Sequence, residues 1–137
     1  MRAAYVDPSV CIAIAIGHHW APQLSALLDS YERLLCSPTL EVELGCTLDD
    51  EEVRAVWAGL QRFDWVIPDR PLSREIARIR SRSRLSAHRT WHLACALYAS
   101  LPRTRYAFAS LHREQQLAAE GLGLRAVGPA WTPAVSG

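Results

Sequence analysis

Short apolar runs alternate with segments of helical periodicity along most of the chain. The apolar runs predict strands at residues 3–7, 33–38, 64–68, 106–110 and 124–127. The segments between them predict seven helices, at residues 8–16, 23–31, 39–47, 51–63, 71–84, 90–100 and 112–122. Alternation of strands and helices is typical of parallel sheets, because a parallel connection needs a crossover. We therefore predict an α/β domain of three layers, α/β/α, with a mainly parallel sheet of four to five strands.

The first predicted strand ends at a carboxylate, Asp7, which Pro8 and Ser9 follow. Proline has no N–H to donate to a strand ladder but is well tolerated in the first turn of a helix. Asp7 therefore has two possible roles. It is either the N-cap of the next helix, which is worth about 1 kcal/mol, or a site residue at the carboxyl end of a strand, where ligands bind in open α/β sheets.

Length and composition restrict the class of protein. The 137 residues, half of them hydrophobic, suffice for one domain; we place it at residues 1–128, with a tail at 129–137. The four cysteines show no Cys-x-x-Cys spacing, which favours reduced, buried thiols. Met1 and Arg2 lead directly into a strand, and no apolar run approaches the roughly 20 residues of a membrane span. We therefore expect a cytoplasmic protein that does not bind membranes.

Charge is balanced overall, with a formal net charge of +1, but it is distributed unevenly. All fifteen basic residues other than histidine are arginine, and residues 70–89 hold seven of them against a single acid, Glu75. Arg74, Arg78 and Arg82 follow one another at four-residue spacing on the predicted fifth helix. Such a row either binds a phosphate backbone, as in an RNA-binding module, or is a solvated helix face.

Glu43 is the second carboxylate of interest. On the predicted third helix it shares a face with Leu40, Leu44 and Thr47, at spacings of three and four residues. A carboxylate on a mostly apolar face needs a cation, a hydrogen-bonding partner or a wet cleft.

Trp57 and Trp65 are predicted to lie in the core, whereas Trp20 and Trp131 are candidates for interface contacts.

The order of these segments, taken together, resembles a known family. The chain has a strand ending in Asp7 before Ser9-Val10, and a Ser-Pro-Thr segment whose helix carries Val42-Glu43-Leu44. Further along come Trp91-His92-Leu93-Ala94-Cys95-Ala96-Leu97, a strand ending Phe108-Ala109-Ser110, and a Gly-Leu-Gly-Leu turn before the last strand. This ordered set, over residues 3–128, resembles the PIN-domain family and in particular the bacterial VapC-type toxins.

The resemblance implies a metal-dependent endoribonuclease. In that family three or four carboxylates gather at the carboxyl edge of the sheet and bind one or two Mg²⁺ or Mn²⁺ ions. Hard divalent cations prefer such oxygen ligands, and the metal activates water and neutralises phosphate charge. The resemblance also implies a small antitoxin as partner, RNA as a possible ligand, and a homodimer.

Matched position by position, the acidic set is incomplete. Asp7 corresponds to the first acid and Glu43 to the second, which makes them the candidate metal ligands. Arg89 stands at the third acid, Ser110 at the family's threonine and His112 at the fourth acid. No Asp or Glu lies between Glu75 and Glu114, so a shifted alignment does not restore the third acid. The family pattern also has a histidine at His92, for which we expect a packing or orienting role.

Three hypotheses follow. In the first, the metal site has become a salt bridge in which Arg89 binds one or both carboxylates. In the second, Asp7, Glu43 and His112 act as catalytic residues on a metal ion, with Arg89 holding RNA phosphate; two carboxylates and an imidazole suit Mn²⁺, Fe²⁺ or Zn²⁺ better than Mg²⁺. In the third, the chain is a catalytically inactive module, free of metal, that binds RNA or protein. The candidate RNA-binding residues are Arg74, Arg78, Arg82, Arg89 and Ser110.

Overall fold

Residues 2–129 are described in a computed structural model of the chain. Their five strands are β1 (Ala3–Val6), β2 (Arg33–Cys36), β3 (Phe63–Trp65), β4 (Tyr106–Ala109) and β5 (Arg125–Val127). All neighbouring strands pair in parallel, in the order β3-β2-β1-β4-β5, so that β1 is central. The predicted α/β class is confirmed, and the sheet is fully parallel.

Seven α-helices accompany the sheet over this part of the chain. They are α1 (Pro8–Ala15), α2 (Ala21–Asp29), α3 (Thr39–Thr47), α4 (Asp50–Leu60), α5 (Ser73–Arg80), α6 (Ala87–Ala99) and α7 (Arg113–Gly121). Helix α1 packs against α2, α3 and α4, whereas α6 packs against α5 and α7. This arrangement is that of a three-layer α/β/α fold. None of the helices that the structure describes has the length and hydropathy of a membrane span.

The core is built around the central strands, which are buried on both faces, as is typical of parallel sheets. Every residue of β1 and β4 is buried. The rings of Tyr5 on β1 and Phe108 on β4 stack with centroids 5.7 Å apart and planes 4° from parallel. The strands are therefore a rigid base for the residues that follow them.

Three polar residues leave the sheet at the same edge. Asp7 follows β1, Ser37 follows β2 and Ser110 follows β4, and these three strands are adjacent. The backbone N–H of Asp7 still donates to the carbonyl oxygen of Ala109, at 2.9 Å, so the two strand ends stay in register. The fold thus brings Asp7 and Ser110 together at the carboxyl edge, although they are far apart in sequence.

Two helix boundaries differ from the prediction in ways that affect the site. Helix α5 ends at Arg80, because the chain turns there and the hydroxyls of Ser81 and Ser83 donate to the carbonyls of Arg78 and Ile79. Arg82 therefore lies beyond the helix and does not continue the row of Arg74 and Arg78. Helix α6 begins three residues earlier than predicted, at Ala87, since Ser86 adopts the extended conformation of an N-cap.

Two predictions about individual side chains, those for Trp57 and Cys46, were wrong. Trp57 is 51% exposed on α4 and does not belong to the core, whereas Trp65 is partly buried against it. Cys46 is exposed, unlike the buried free cysteines Cys11, Cys36 and Cys95. Trp131, and all of the predicted tail except Pro129, lie outside the described residues.

Candidate functional site

Asp7 is buried, at 2% exposure, and both of its carboxylate oxygens are hydrogen-bonded. One oxygen, Oδ2, accepts from the backbone N–H of Ser9 at 3.0 Å, which makes Asp7 the N-cap of α1. The other, Oδ1, accepts from the side-chain amide of Gln115 at 3.0 Å. Asp7 is therefore the N-cap of α1, and it lies at the carboxyl edge of the sheet.

Gln115 is the centre of a buried network that joins three elements. Its amide nitrogen donates to Asp7 and also to the backbone carbonyl of Arg89, at 3.1 Å. Its amide oxygen accepts from the Ser110 hydroxyl at 2.6 Å. Gln115 has 0% exposure, so each of these bonds satisfies a group that water does not reach. The amide occupies the space between β1, α6 and α7 where the resemblance implies an acidic cluster.

The second carboxylate, Glu43, is held by a histidine from the core. His92 Nε2 lies 2.6 Å from Glu43 Oε2, and His92 Nδ1 lies 2.8 Å from the Tyr5 hydroxyl. His92 is fully buried, whereas the side chain of Glu43 is 23% exposed. His92 orients the carboxylate of Glu43, in agreement with the orienting role expected for it.

The direction of these bonds follows from the Tyr5 hydroxyl. The backbone N–H of Ser37 donates to the Tyr5 oxygen at 3.0 Å, which leaves the phenol proton for His92 Nδ1. Burial raises the pKa of Tyr5 well above its ordinary value, so the phenol stays protonated. With Nδ1 accepting, the neutral imidazole carries its proton on Nε2 and donates it to Glu43.

Asp7 and Glu43 line the same cleft, of about 340 Å³. Its walls come from the start of α1, from α3, from the first turn of α6 and from the residue before α7; the lining residues are Asp7, Pro8, Ser9, Ile12, Val42, Glu43, Cys46, Thr47, His88 and His112. The fold thus brings together Asp7, Glu43 and His112, three of the predicted site residues.

Arg89 lies in the first turn of α6 and forms no ion pair with Asp7 or Glu43 among residues 2–129. Its Nε atom is buried and has no hydrogen-bond partner there. The hypothesis that Arg89 replaces the metal through a salt bridge is therefore wrong. Gln115 and His92 already bind the two carboxylates, and Arg89 contributes its backbone carbonyl to the network rather than its guanidinium.

His112 precedes α7, and its backbone N–H donates to the Ser110 hydroxyl at 3.0 Å. Burial lowers the pKa of its imidazole below the ordinary value; the Asp7 charge acts in the opposite direction, and Arg89 and His88 lower it further. His112 is therefore neutral at pH 7. In place of a fourth carboxylate, the cleft has an uncharged imidazole.

These side chains do not fit a divalent metal in the arrangement the structure has. Nowhere in residues 2–129 do three His, Cys, Asp or Glu side chains group so that they could hold an ion. Hydrogen bonds occupy both oxygens of Asp7, and Oε2 of Glu43 binds His92. The guanidinium of Arg89 adds positive charge nearby, which disfavours a second cation.

The candidate RNA-binding residues divide into two groups. Ser110 is fully buried with its hydroxyl bound to Gln115, so it offers no surface to a ligand. Every arginine of residues 74–84, which we call the arginine segment, is exposed, namely Arg74, Arg78, Arg80, Arg82 and Arg84. None of them forms an ion pair within residues 2–129.

The one acid of the arginine segment is already neutralised. Glu75 accepts two hydrogen bonds from the Arg70 guanidinium, at 3.0 and 2.7 Å. This pairing lowers the pKa of Glu75 and raises that of Arg70. The positive charge of the arginine segment therefore faces solvent without a compensating carboxylate of its own.

Comparison of the chain with protein-family models and with curated proteins gave no match. The likeness to PIN domains therefore rests on the ordered motifs of the sequence and stays a proposal.

Gln115 is the site residue that the sequence analysis missed. A glutamine in the first turn of a helix that starts at a sheet edge is a signal, because its amide can reach orphan groups there. The family pattern consists of acids, whereas the side chain that binds Asp7 in this chain is a neutral amide.

Proposed function

We propose that this chain is a PIN-type domain of the toxin–antitoxin kind that binds RNA but no longer cuts it by metal-dependent hydrolysis. The observation that carries the proposal is the state of Asp7. Its two oxygens bind the Ser9 backbone and the Gln115 amide, so the first acid of the resemblance serves as a structural acceptor. Ribonuclease activity is then an ancestral property, and RNA binding is the part that the surface still supports.

Electrostatics support the loss of metal chemistry. At an effective dielectric constant of about 20, a divalent ion about 6 Å from a guanidinium is repelled by roughly 5 kcal/mol. Arg89 supplies this charge at the position of the third acid, and neutral His112 stands at the fourth. To bind a divalent ion, Asp7 and Glu43 would have to offset that repulsion and would also lose part of their present hydrogen bonding.

The arginine segment supports RNA binding. It presents five exposed guanidiniums that form no ion pairs within residues 2–129. Guanidinium groups bind phosphate bidentately and are weakly hydrated, which suits nucleic-acid recognition. Affinity from such contacts depends on salt, because phosphate neutralisation releases counterions.

The first experiment measures single-stranded RNA binding by fluorescence anisotropy at several salt concentrations. The wild type should bind with an affinity that falls steeply as salt rises. The variant Arg74→Gln/Arg78→Gln should weaken binding and reduce the salt slope by about 1 per lost phosphate contact. The control is Arg54→Gln, an equal change of charge at an exposed arginine on α4, which should leave binding unchanged. Absence of binding by the wild type would contradict the proposal.

The second experiment tests cleavage. Labelled RNA is incubated with the wild type and with Asp7→Asn in Mg²⁺, Mn²⁺, Fe²⁺ and Zn²⁺. We expect no cutting that depends on Asp7. Cutting by the wild type that disappears in Asp7→Asn would favour the alternative in which Asp7, Glu43 and His112 hold a catalytic metal.

The antitoxin partner and the homodimer remain expectations from the resemblance, as does the cytoplasmic location from the sequence.

A further inference from the structure

A groove of about 420 Å³ lies between α5, the turn that follows it and the first turns of α6. Its lining includes the apolar Ile76 and Leu85, the aromatic Trp91, the basic Arg80 and Arg84, and two hydroxyl residues. Arg80 and Arg84 are both exposed, with no ion pair among residues 2–129. The groove is therefore lined by two arginines that form no ion pair within residues 2–129 and by one tryptophan.

The indole of Trp91 is fixed in this position by a hydrogen bond behind it. Its Nε1–H donates to the Ser37 hydroxyl at 3.0 Å, and Ser37 is 1% exposed. The indole is therefore anchored at one edge in the buried strand end, while the residue itself is only partly buried and lines the groove. An aromatic ring that is held in advance loses little entropy when a ligand stacks on it.

The hydroxyls on the groove wall are already engaged. Ser83 donates to the Ile79 carbonyl, and Thr90 donates to the Leu85 carbonyl. A ligand in this groove therefore meets guanidiniums and an indole rather than free hydroxyl donors. That set suits a planar ring flanked by anionic groups, since bases stack on aromatic side chains and phosphates bind arginine.

We propose that this groove binds one nucleotide of single-stranded RNA, with its base stacked on Trp91 and the adjacent phosphates on Arg80 and Arg84. The inference rests on the proposed RNA binding and adds the place where a base is held. A single-stranded nucleic acid supplies both groups that this lining suits, a base that stacks on an indole and phosphates that bind guanidiniums.

The test compares an oligoribonucleotide with a copy that carries abasic sites at every position. Both have the same phosphates, so the ratio of their dissociation constants isolates the contribution of the bases. Stacking is worth about 1–3 kcal/mol per base by alanine substitution, which is at least about fivefold in affinity. The wild type should prefer the normal strand by at least that factor, and Trp91→Leu should remove most of the preference.

Three control variants distinguish the loss of base stacking on Trp91 from a general structural effect of the substitution. Trp91→Phe keeps a ring but loses the bond to Ser37, and Ser37→Ala loses that bond together with the acceptor of the Thr39 N–H and hydroxyl; both should keep the preference for bases. Trp57→Leu changes an exposed tryptophan that lines neither this groove nor the Asp7 cleft, and should behave like the wild type. Thermal melts confirm that each variant is folded.

The outcomes distinguish the two proposals. If neither strand binds the wild type, the proposed RNA binding fails. If both strands bind the wild type equally, or if folded Trp91→Leu keeps the full preference, RNA binding stands and the base site at Trp91 is wrong.

Discussion

Gln115 donates a hydrogen bond to the Asp7 carboxylate at 3.0 Å, across 108 positions of sequence. The same amide nitrogen binds the Arg89 carbonyl, so one side chain holds β1, α6 and α7 at the edge of the sheet. Two of the residues it contacts stand where the resemblance places acids of a metal site. The bond gives the buried carboxylate a hydrogen-bond partner at this edge.

Replacing Gln115 by leucine should destabilise the domain strongly. The change leaves the Asp7 carboxylate with one partner, leaves the Ser110 O–H without its acceptor and removes the bond to the Arg89 carbonyl. A buried polar group without a partner costs about 1–3 kcal/mol, so we expect a loss of at least about 2 kcal/mol in the free energy of unfolding, measured in urea. Gln23→Leu, the same exchange at an exposed position, should change it by less than about 0.5 kcal/mol. Equal effects of the two would refute the role of the network.

Replacing Glu43 by leucine should also destabilise the fold, because the buried His92 would lose the acceptor of its Nε2–H. We expect a loss of about 1–3 kcal/mol by chemical denaturation. Glu43→Gln retains a side-chain oxygen and should cost less. Glu41→Leu, at an exposed position on the same helix, serves as control. If Glu43→Leu were as stable as the control, the bond between Glu43 and His92 would not contribute to the free energy of unfolding.

The lowered pKa of His112 predicts how stability changes with pH. The folded state disfavours the imidazolium, whereas the unfolded chain protonates histidine near its ordinary pKa of about 6.5. The contribution of His112 to the free energy of unfolding is therefore complete above the unfolded-state pKa. It is lost as pH falls through the lower folded-state pKa. His112→Gln should flatten the decrease in unfolding free energy between pH 7 and pH 5, and His19→Gln, at an exposed loop residue, should not. A wild-type profile that matches His112→Gln would contradict the assignment.

Gly128 should not tolerate a side chain. A methyl group there would lie 2.5 Å from the Ser110 carbonyl oxygen and 2.8 Å from Nε2 of Gln116. Such crowding typically costs about 1–3 kcal/mol, so Gly128→Ala should lower the melting temperature. Gly45→Ala, inside α3 where nothing lies within 4 Å of the added carbon, should raise it, since alanine favours helix over glycine by about 1 kcal/mol. The two substitutions should therefore change the melting temperature in opposite directions, because one tests close packing and the other tests helix propensity.

The class of fold could be predicted from the pattern of the chain, because apolar runs and helical periodicity report which face of an element is buried. The position of Asp7 followed from its place after β1. The end of α5 could not be predicted, since its turn depends on serine hydroxyls that return to helix carbonyls. The prediction for Trp57 was wrong because Leu60 is the one residue of α4 that is buried.

The partners of the two carboxylates were harder to predict. The apolar face around Glu43 correctly predicted that this carboxylate has a partner. The partner expected for the carboxylates was the Arg89 guanidinium, whereas His92 and Gln115 bind them. Charge alone favours the arginine, but hydrogen-bond geometry depends on which side chains the helices bring to the strand ends. The neutral donors are the ones that the packing of α6 and α7 puts within reach.

A calorimetric titration with Mn²⁺ tests most directly whether hydrogen bonds have replaced the metal at Asp7 and Glu43. The wild type should show no saturable binding up to millimolar Mn²⁺. The variant Arg89→Asp/His112→Asp, which returns carboxylates to the third and fourth positions, should gain binding. Micromolar binding by the wild type that Asp7→Asn abolishes would contradict the account.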